Sequence, residues 1–187
     1  MAGVLSQELL VTLITSVIDI LICERRRRLH EVRSFNLSYA GPGDVDLLAE
    51  HRASMWLDIH PEFAKQVEKH RKATRSWIRK QLSGGKLVGL IVKAPDGRVA
   101  GSGCIWIRDE QPRPTSMRLE VPYLMSMYTE KEFRRRGVAK LIVKGALEWC
   151  RKHRYDRLVL HASKLGRPIY ESLGFEPSTE MRYQFRT

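Results

Sequence analysis

Three consecutive arginines followed by small residues form the stretch with the clearest chemical potential, FRRRGVAK at residues 133–140. Gly137 opens a segment with helical spacing of apolar residues, and the first N–H groups of a helix lack intrahelical partners. These N–H groups and the positive end of the helix dipole favour a bound anion. Arg134, Arg135 and Arg136 add charged hydrogen-bond donors beside them. The stretch therefore predicts a phosphate or pyrophosphate site, although it matches neither the GxxxxGK[ST] nor the GxGxxG pattern.

The predicted elements on either side place this stretch between a strand and a helix. Residues 118–129 are rich in β-forming side chains, and residues 136–153 carry apolar side chains at helical spacing. Residues 156–162 form a further predicted strand. Because this order is a βαβ unit, the two strands are expected to be parallel neighbours. The helix face that we expect to be buried consists of Val138, Ile142, Ala146, Trp149 and Cys150.

The remaining predicted elements complete a mixed sheet with helices on its faces, which is an α/β (α+β) fold class. Pro122 is expected to mark a bulge, a sheet edge or a strand start, because proline cannot donate to a central ladder. The further predicted strands are 34–40, 86–94, 99–108 and 181–185, and the further predicted helices are 45–57, 61–82 and 166–175. The second of these helices is expected to turn inward Phe63, Val67, Trp77, Ile78 and Leu82.

The first 31 residues differ in pattern from the rest, so we predict an N-terminal amphipathic helix with a basic linker over 1–31 and a single domain over 32–187. Residues 4–23 are apolar but contain two acidic residues within one polar stripe, which argues against a membrane span. The apolar stripe is expected to cover the domain or to pair two chains into a homodimer. The alternative is a helix on a membrane surface, with Arg25–Arg28 at the lipid headgroups.

Composition narrows the partners and the compartment. The formal net charge of +12 and the pI of about 10.0 predict an anionic partner, such as a phosphorylated cofactor, nucleic acid, an acidic protein or a membrane surface. Three scattered cysteines and no signal-peptide pattern predict the reducing cytoplasm. His51, His60 and His70 lack the spacing of metal ligands, so no metal is predicted.

Two ordered motifs give the sequence a family resemblance. Arg134-x-x-Gly137-x-Ala139 matches the signature Q/R-x-x-G-x-G/A of the GNAT superfamily of N-acetyltransferases. SKLGRPIYESLGFEP at 163–177 resembles the later motif of that family, through Ser163, Gly166, Tyr170, Gly174 and Phe175. The chain resembles the family over about residues 34–187. The resemblance implies a mostly antiparallel central sheet with a splayed parallel strand pair at the cofactor site and helices on both faces.

The resemblance also implies acetyl-CoA or coenzyme A as the cofactor and assigns residues to it. The backbone around Gly137 would wrap the pyrophosphate, and the end of strand 118–129 would offer main-chain groups to the pantetheine arm. A main-chain N–H near Met127 would polarise the thioester carbonyl. Tyr170 matches the general acid that protonates the departing thiolate. Ser163 stands at the strand end where the family often has asparagine. The implied cofactor-binding residues are Met127, Tyr128, Thr129, Arg134, Arg135, Arg136, Gly137, Val138, Ala139, Lys140, Ser163, Gly166 and Tyr170.

The sequence leaves alternatives for the general base and for the acceptor site. A glutamate that some relatives use falls near Tyr123, so it is missing in register, and Glu120 and His161 are the candidates. A bulge at Pro122 would bring Glu120 to the required face, and a water chain without a single base is a further alternative. The first helix pair usually shapes the acceptor site in the family, and the candidates there are Trp56, His60 and Glu62.

The sequence therefore predicts an N-acetyltransferase that moves an acetyl group from acetyl-CoA to a primary amine by direct attack in a ternary complex. The acceptor is either a small amine or a protein amine. The alternative is a basic binding module that keeps the fold and acts on nucleic acid or the ribosome, although nucleic-acid-binding motifs are absent from the sequence. Binding that falls steeply with salt would support this alternative.

Overall fold

The computed structural model describes residues 13–23, 35–114 and 116–183. Within these residues the sheet strands are β1 (Asn36–Tyr39), β2 (Leu87–Lys93), β3 (Val99–Asp109), β4 (Glu120–Thr129) and β5 (Val159–Leu160). The helices are α1 (residues 13–23), α2 (Val45–Ile59), α3 (Ala64–Ser83), α4 (Val138–Lys152) and α5 (Arg167–Glu171). The predicted fold class is confirmed.

The strands lie side by side in chain order, from β1 to β5. Each of the first three pairs is antiparallel, and β4 pairs with β5 in parallel through the α4 crossover. The short connection between β2 and β3 is a hairpin, the connection between β1 and β2 contains α2 and α3, and β4, α4 and β5 form the βαβ unit. The prediction that the strands before and after the long helix are parallel neighbours is therefore confirmed.

Two apolar layers cover the two faces of the sheet. On one face α4 packs Ile142, Val143 and Ala146, each fully buried, against Leu90 and Ile105 of the central strands. The other face carries α2 and α3, and its buried residues include Leu48, Ile78, Ile91 and Cys104. The predicted α4 face is confirmed, because Val138, Ile142, Ala146 and Cys150 are buried and Trp149 packs partly against the same cluster.

Two glycines of β3 allow the neighbouring elements to approach the sheet closely. A Cβ atom at Gly101 would lie 2.6 Å from the Tyr128 carbonyl oxygen of β4. A Cβ atom at Gly103 would lie 2.5 Å from Sδ of Met127 and 2.8 Å from Cγ2 of Ile142. Real Cβ atoms do not make such contacts, so a larger residue at either position would push β4 or α4 away. Gly101 and Gly103 therefore fix how β4 sits between β3 and α4.

Of the three alternatives for Pro122, the sheet edge is the one that the structure shows. Pro122 lies in regular register opposite Ile107, and no residue pairs with it on its other side because the ladder with β5 begins at Tyr123. Two other expectations about local structure are wrong. The side chain of Phe63 is 41% exposed, since the chain enters α3 through a 3-10 turn that directs this ring away from the sheet. Residues 181–183 are not a strand, and residues 184–185 of that predicted strand lie outside the described part of the chain.

Helix α1 is exposed along its whole described length. Its exposed large apolar residues are Leu13, Ile14, Val17, Ile18, Ile20, Leu21 and Ile22. In the described parts of the chain, no helix is long and apolar enough to cross a membrane. Residues 1–12, the basic run Arg25–Arg28 and the predicted boundary at residue 31 lie outside the described residues.

Candidate active site

Strands β4 and β5 pair only briefly and then part. Their parallel ladder consists of Tyr123 opposite Val159 and Leu124 opposite Leu160. Strand β5 ends at Leu160, whereas β4 continues to Thr129. The backbone of β4 beyond Leu124 therefore has no ladder partner on the β5 side within the described residues. Such an edge inside a sheet can accept an extended ligand as an additional strand.

A β-bulge lies in the part of β4 that borders this gap. Ser102 pairs with Tyr128 and Cys104 pairs with Met125, so Gly103 alone faces both Ser126 and Met127. The extra residue is accommodated at Ser126, where φ is +53°. As a consequence, Met125 and Ser126 both face α2 and α3, whereas Met127 packs on the α4 side. The bulge lies at Ser126, so the alternative that placed a bulge at Pro122 is wrong.

The FRRRGVAK stretch forms a tight turn at the start of α4. Phe133 is buried, and the backbone then passes through positive φ at Arg135 (+62°) and Gly137 (+86°). Gly137 is the N-cap residue of α4, and its carbonyl accepts the first helical hydrogen bond, from the N–H of Leu141. This geometry aims the first N–H groups of α4 outward as a cradle for an anion.

The arginines of this turn are not equivalent. Arg134 is held by the protein itself, since its Nε donates to the Thr129 carbonyl oxygen at 3.0 Å and its guanidinium pairs with Asp58 of α2. The guanidinium of Arg136 lies 5.9 Å from the centre of the Phe133 ring. Arg134 therefore ties the end of β4 to α2, and the anion cradle is formed by the backbone that follows it.

Tyr170 stands on α5 beside the gap. A Cβ atom at Gly166 would lie 3.7 Å from the Tyr170 hydroxyl oxygen, and the Phe175 ring packs edge-on with its centre 5.7 Å away. Burial raises the pKa of the Tyr170 phenol, and nearby Tyr123 adds to this shift. The phenol is therefore held in its protonated form. Ser163 precedes α5, and its hydroxyl oxygen accepts the N–H of the N-cap residue Gly166 at 3.1 Å.

A chain of hydrogen bonds runs from the sheet to the surface next to Tyr170. The Tyr123 hydroxyl lies 2.7 Å from His161 Nδ1, and His161 Nε2 lies 2.6 Å from Glu180 Oε1. A carboxylate only accepts, so His161 Nε2 donates to Glu180 and Nδ1 accepts from Tyr123. Burial raises the pKa of Tyr123, against the opposing effect of Arg108, whose guanidinium lies 4.3 Å from the ring centre. The arrangement can move a proton from Tyr123 to His161.

Comparison with known proteins identifies the family. Residues 48–175 match the model of the acetyltransferase (GNAT) family. The chain belongs to this family. A GCN5-related N-acetyltransferase from Ralstonia eutropha JMP134 has 21% identity and a TM-score of 0.75, covering 81% of this chain and 98% of that one. A predicted acetyltransferase from Clostridium acetobutylicum, solved with acetyl-CoA, has 25% identity and a TM-score of 0.72, covering 81% of this chain and 96% of that one.

Aminoglycoside acetyltransferases also share the fold. The aminoglycoside N-acetyltransferase AAC(6')-Iy, solved with CoA, has 18% identity and a TM-score of 0.60, covering 81% of this chain and 94% of that one. GNAT proteins use acetyl-CoA as the acetyl donor, which makes this chain an acyltransferase. The features of this structure fit that donor, since the turn at Arg135 and Gly137 suits a pyrophosphate and the gap beside β4 suits an extended arm.

Of the two base candidates, only His161 lies beside Tyr170 in this GNAT fold. Glu120 is the first residue of β4, seven residues or about 23 Å of strand from Met127. Its carboxylate accepts from Lys86 Nζ at 2.7 Å and from the Tyr155 hydroxyl at 3.2 Å. The hydrogen bond from Lys86 is the main cause that lowers the pKa of Glu120. Glu120 is thus tied into an ion pair at the opposite end of the strand.

A cavity of about 440 Å³ lies between α2 and α3, where the sequence predicted an acceptor site. Trp56 lines it together with Phe63. His60 and Glu62 form the turn between the two helices and contact each other, with His60 Nδ1 3.0 Å from Glu62 Oε1. Neither of them is among the residues that line the cavity. The structure therefore brings Trp56 into the candidate acceptor site and places His60 and Glu62 beyond its edge.

Two residues of α2 that sequence reasoning missed face the sheet at the site. His51 and Arg52 follow Leu48 by three and four residues, so all three lie on the inner side of the helix. The buried His51 ring donates from Nε2 to Glu130 at 3.1 Å and accepts at Nδ1 from the Ser102 hydroxyl at 2.8 Å. The helical spacing alone was a signal that these polar residues point inward.

Titration of His51 is expected to make stability depend on pH. Burial lowers its pKa below the ordinary value of 6.5, and Glu130 only partly offsets this effect. The unfolded chain therefore binds a proton that the folded chain resists, so stability is full above pH 6.5 and is lost as the pH falls below it. Urea unfolding from pH 7.5 to 5.5 should show a steeper loss for wild type than for His51→Gln. Parallel pH profiles would contradict this role.

Proposed function

We propose that the protein acetylates a primary amine by direct attack on acetyl-CoA while both substrates are bound. In this reaction the thioester C–S bond breaks and a C–N bond forms, the amine nitrogen loses a proton and the sulfur gains one. The observation that carries the proposal is the gap between β4 and β5, which lies between the anion turn of α4 and the half-buried Tyr170. The reaction class follows from the family, whereas the residues that bind the cofactor, transfer protons and hold the acceptor are proposed for this chain.

The cofactor assignments follow the two backbone features. The N–H groups of the α4 turn bind the pyrophosphate, and the unpaired edge of β4 hydrogen-bonds the pantetheine arm. The N–H at Met127, presented by the bulge, stabilises the charge that develops on the carbonyl oxygen. Ser163 holds the start of α5, the helix that carries Tyr170, by accepting the Gly166 N–H. The assigned residues are Met127, Tyr128, Thr129, Arg134, Arg135, Arg136, Gly137, Val138, Ala139, Lys140, Ser163, Gly166 and Tyr170.

Two phenols handle the protons in this proposal. Tyr170 donates its proton to the departing sulfur, a role that suits a phenol kept protonated by burial. Tyr123 accepts a proton from the incoming ammonium while it passes its own proton to His161 Nδ1. The resulting imidazolium is stabilised by Glu180 at 2.6 Å and returns its proton to solvent, since His161 is exposed. His161 is therefore the proposed base, in preference to Glu120.

The acceptor is proposed to enter between α2 and α3. Trp56 forms part of the cavity wall there. Its ring centre lies 5.7 Å from that of His60, and the His60–Glu62 pair borders the entrance. On α3, Arg71 pairs with Glu50 and Arg75 pairs with Asp46, which neutralises two charges of the basic surface that would favour nucleic acid.

Calorimetry with acetyl-CoA tests the proposal directly. Acetyl-CoA and CoA are expected to bind one site with dissociation constants in the micromolar range, because the helix terminus and the unpaired strand are both preformed. No heat of binding at millimolar cofactor would contradict the proposal. Release of free thiol in the presence of a panel of amines would then report turnover, with the exposed Cys23 as a constant background.

We further propose that residues 1–31 form a dimerisation arm attached to an acetyltransferase domain over 32–187. The support is the exposed apolar surface of α1 described above. Removal of residues 1–31 is expected to convert a dimer into a monomer in analytical ultracentrifugation. The same sedimenting species with and without these residues would contradict this arrangement. We also place the protein in the cytoplasm, since a reducing compartment suits its unpaired cysteines.

A further inference from the structure

Arg52 has an unusual environment for an arginine. Its side chain is half-buried between α2 and β4, and Nη1 donates to the Ser126 hydroxyl oxygen at 3.0 Å. Among the described residues no carboxylate pairs with Arg52, and burial lowers the pKa of its guanidinium. By contrast, Arg71 and Arg134, which border the same region, pair with Glu50 and Asp58. Arg52 thus carries a half-buried charge that the protein leaves without a counter-ion.

This charge stands where the cavity meets the reactive end of β4. Arg52 lines the cavity between α2 and α3, and its partner Ser126 is the bulge residue next to Met127. Tyr123 lies on the same strand, three residues before Ser126. A group bound to Arg52 would therefore be held within reach of both the bulge and the proposed base relay.

The rest of the cavity lining is apolar, neutral polar or basic. Its apolar part includes Ala53, Trp56, Phe63 and Val67. None of the described residues that line the cavity is acidic, and His70 and Arg71 are among them. A volume of about 440 Å³ suits a small molecule of modest size. A polyamine or aminoglycoside would bring several positive charges to a cavity without carboxylates, which disfavours both classes.

We propose that the acceptor is an α-amino acid with an apolar side chain, bound through its carboxylate by Arg52. The carboxylate and the amine are separated by one carbon atom, so a carboxylate at Arg52 places the amine beside the bulge at Ser126 and Met127. The side chain then fills the space between Trp56, Phe63 and Val67. This inference rests on the proposed acetyl transfer and specifies its substrate class.

The chemical step is the one given above. The α-ammonium group loses one proton to the Tyr123–His161 relay, its nitrogen bonds to the acetyl carbon, and the thioester C–S bond breaks. The second proton of the nitrogen is released to solvent as the amide forms, the sulfur receives the proton of Tyr170, and Tyr170 regains a proton from solvent. Arg52 takes no part in proton transfer, so it acts as a positioning and specificity residue.

Matched amines with and without the carboxylate test the inference. L-Leucine is compared with 3-methylbutylamine, and L-phenylalanine with 2-phenylethylamine, by thiol release at saturating acetyl-CoA. Wild type is expected to prefer each amino acid by about 10- to 100-fold in kcat/KM, the value of a charged hydrogen-bond pair. In Arg52→Gln this preference is expected to fall to about one, and Arg52→Lys should restore part of it because the charge is kept.

A control separates this role from a general loss of positive charge. Arg75→Gln removes the same charge from α3, outside the cavity, and is expected to leave the preference unchanged. Equal or better turnover of the decarboxylated amines by wild type would overturn the inference, as would an unchanged preference in Arg52→Gln. Circular dichroism of each variant establishes that the fold is intact.

The remaining outcomes distinguish the substrate class from the reaction. If acetyl-CoA binds but no amine in the panel is acetylated, both amino acids are titrated calorimetrically into the CoA-loaded protein. Binding that is lost in Arg52→Gln supports the substrate class, and no binding overturns it. If acetyl-CoA itself fails to bind, the proposed function is contradicted. The amino acids are then titrated into the protein alone, where binding that is lost in Arg52→Gln supports the role of Arg52 and no binding overturns it.

Discussion

Replacement of Tyr170 by phenylalanine is expected to lower kcat by about 10²-fold or more, within the range of general acid catalysis. The substitution keeps the ring that packs on Phe175 and removes only the hydroxyl group. Because burial raises the pKa of this phenol, wild-type kcat should stay constant on the alkaline side up to at least about pH 10, the ordinary value for tyrosine. The measurement is steady-state turnover of the best acceptor from pH 6 to 10, with calorimetry for acetyl-CoA affinity.

Tyr155→Phe is the matched control for this variant. Tyr155 is also half-buried, and its hydroxyl donates to Glu120 at the opposite end of β4 from the bulge. Its loss is expected to leave kcat unchanged. A Tyr170→Phe enzyme with wild-type kcat over the whole pH range would show that solvent, and not this phenol, protonates the sulfur.

Replacement of Gly137 by alanine is expected to raise the KM for acetyl-CoA by about 10- to 100-fold. The residue has a φ of +86°, a conformation that costs a residue with a Cβ atom about 1–2 kcal/mol. The turn relieves this strain by rotating, which withdraws one or two N–H groups from the pyrophosphate, and charged hydrogen bonds contribute about 1.5–3 kcal/mol each. Titration of CoA by calorimetry reports the loss without turnover.

Gly85→Ala distinguishes the loss of the phosphate site from general backbone strain. Gly85 also has a positive φ, +67°, and a Cβ atom there would meet no atom within 4 Å. It lies between α3 and β2, next to Lys86, which contacts the first residue of β4. Both variants are expected to lose about 1–2 kcal/mol of unfolding free energy, and only Gly137→Ala should weaken CoA binding. Equal CoA affinity in the two variants would contradict the assignment of the turn.

The parts of the fold that sequence reasoning predicted well are those with a strong local signal. Helix α4 repeats apolar residues at helical spacing and begins at a glycine, and both features are properties of neighbouring residues. The strands β2, β3 and β4 are rich in β-forming side chains and are separated by clear turns, so their ends were placed to within two residues. The parallel placement of β5 followed from the crossover rule, which depends on order and not on side-chain detail.

The parts that sequence reasoning missed depend on partners far along the chain. Arg52 contacts Ser126 across 74 residues, and His51 contacts Ser102 and Glu130 across 51 and 79 residues. Helical spacing points these side chains inward but cannot name what they meet. A bulge was one of the expectations for Pro122 because its missing N–H is visible in the sequence, whereas the bulge at Ser126 lies where Gly103 of the neighbouring strand β3 lets Met127 and Ile142 approach closely.

The bulge at Ser126 also makes β4 sensitive to length. Side chains alternate between the two faces of a strand, so one extra residue reverses the phase of every position that follows it. The bulge absorbs this reversal because Met125 and Ser126 face the same side, so deletion of Ser126 alone would keep Met127 and Tyr128 on their present faces and remove only the residue that meets Arg52. A one-residue deletion elsewhere in this part of β4, with the bulge kept, would exchange the two faces of the strand end. Libraries built to alter the acceptor should therefore vary residue identity along β4 and keep its residue count fixed.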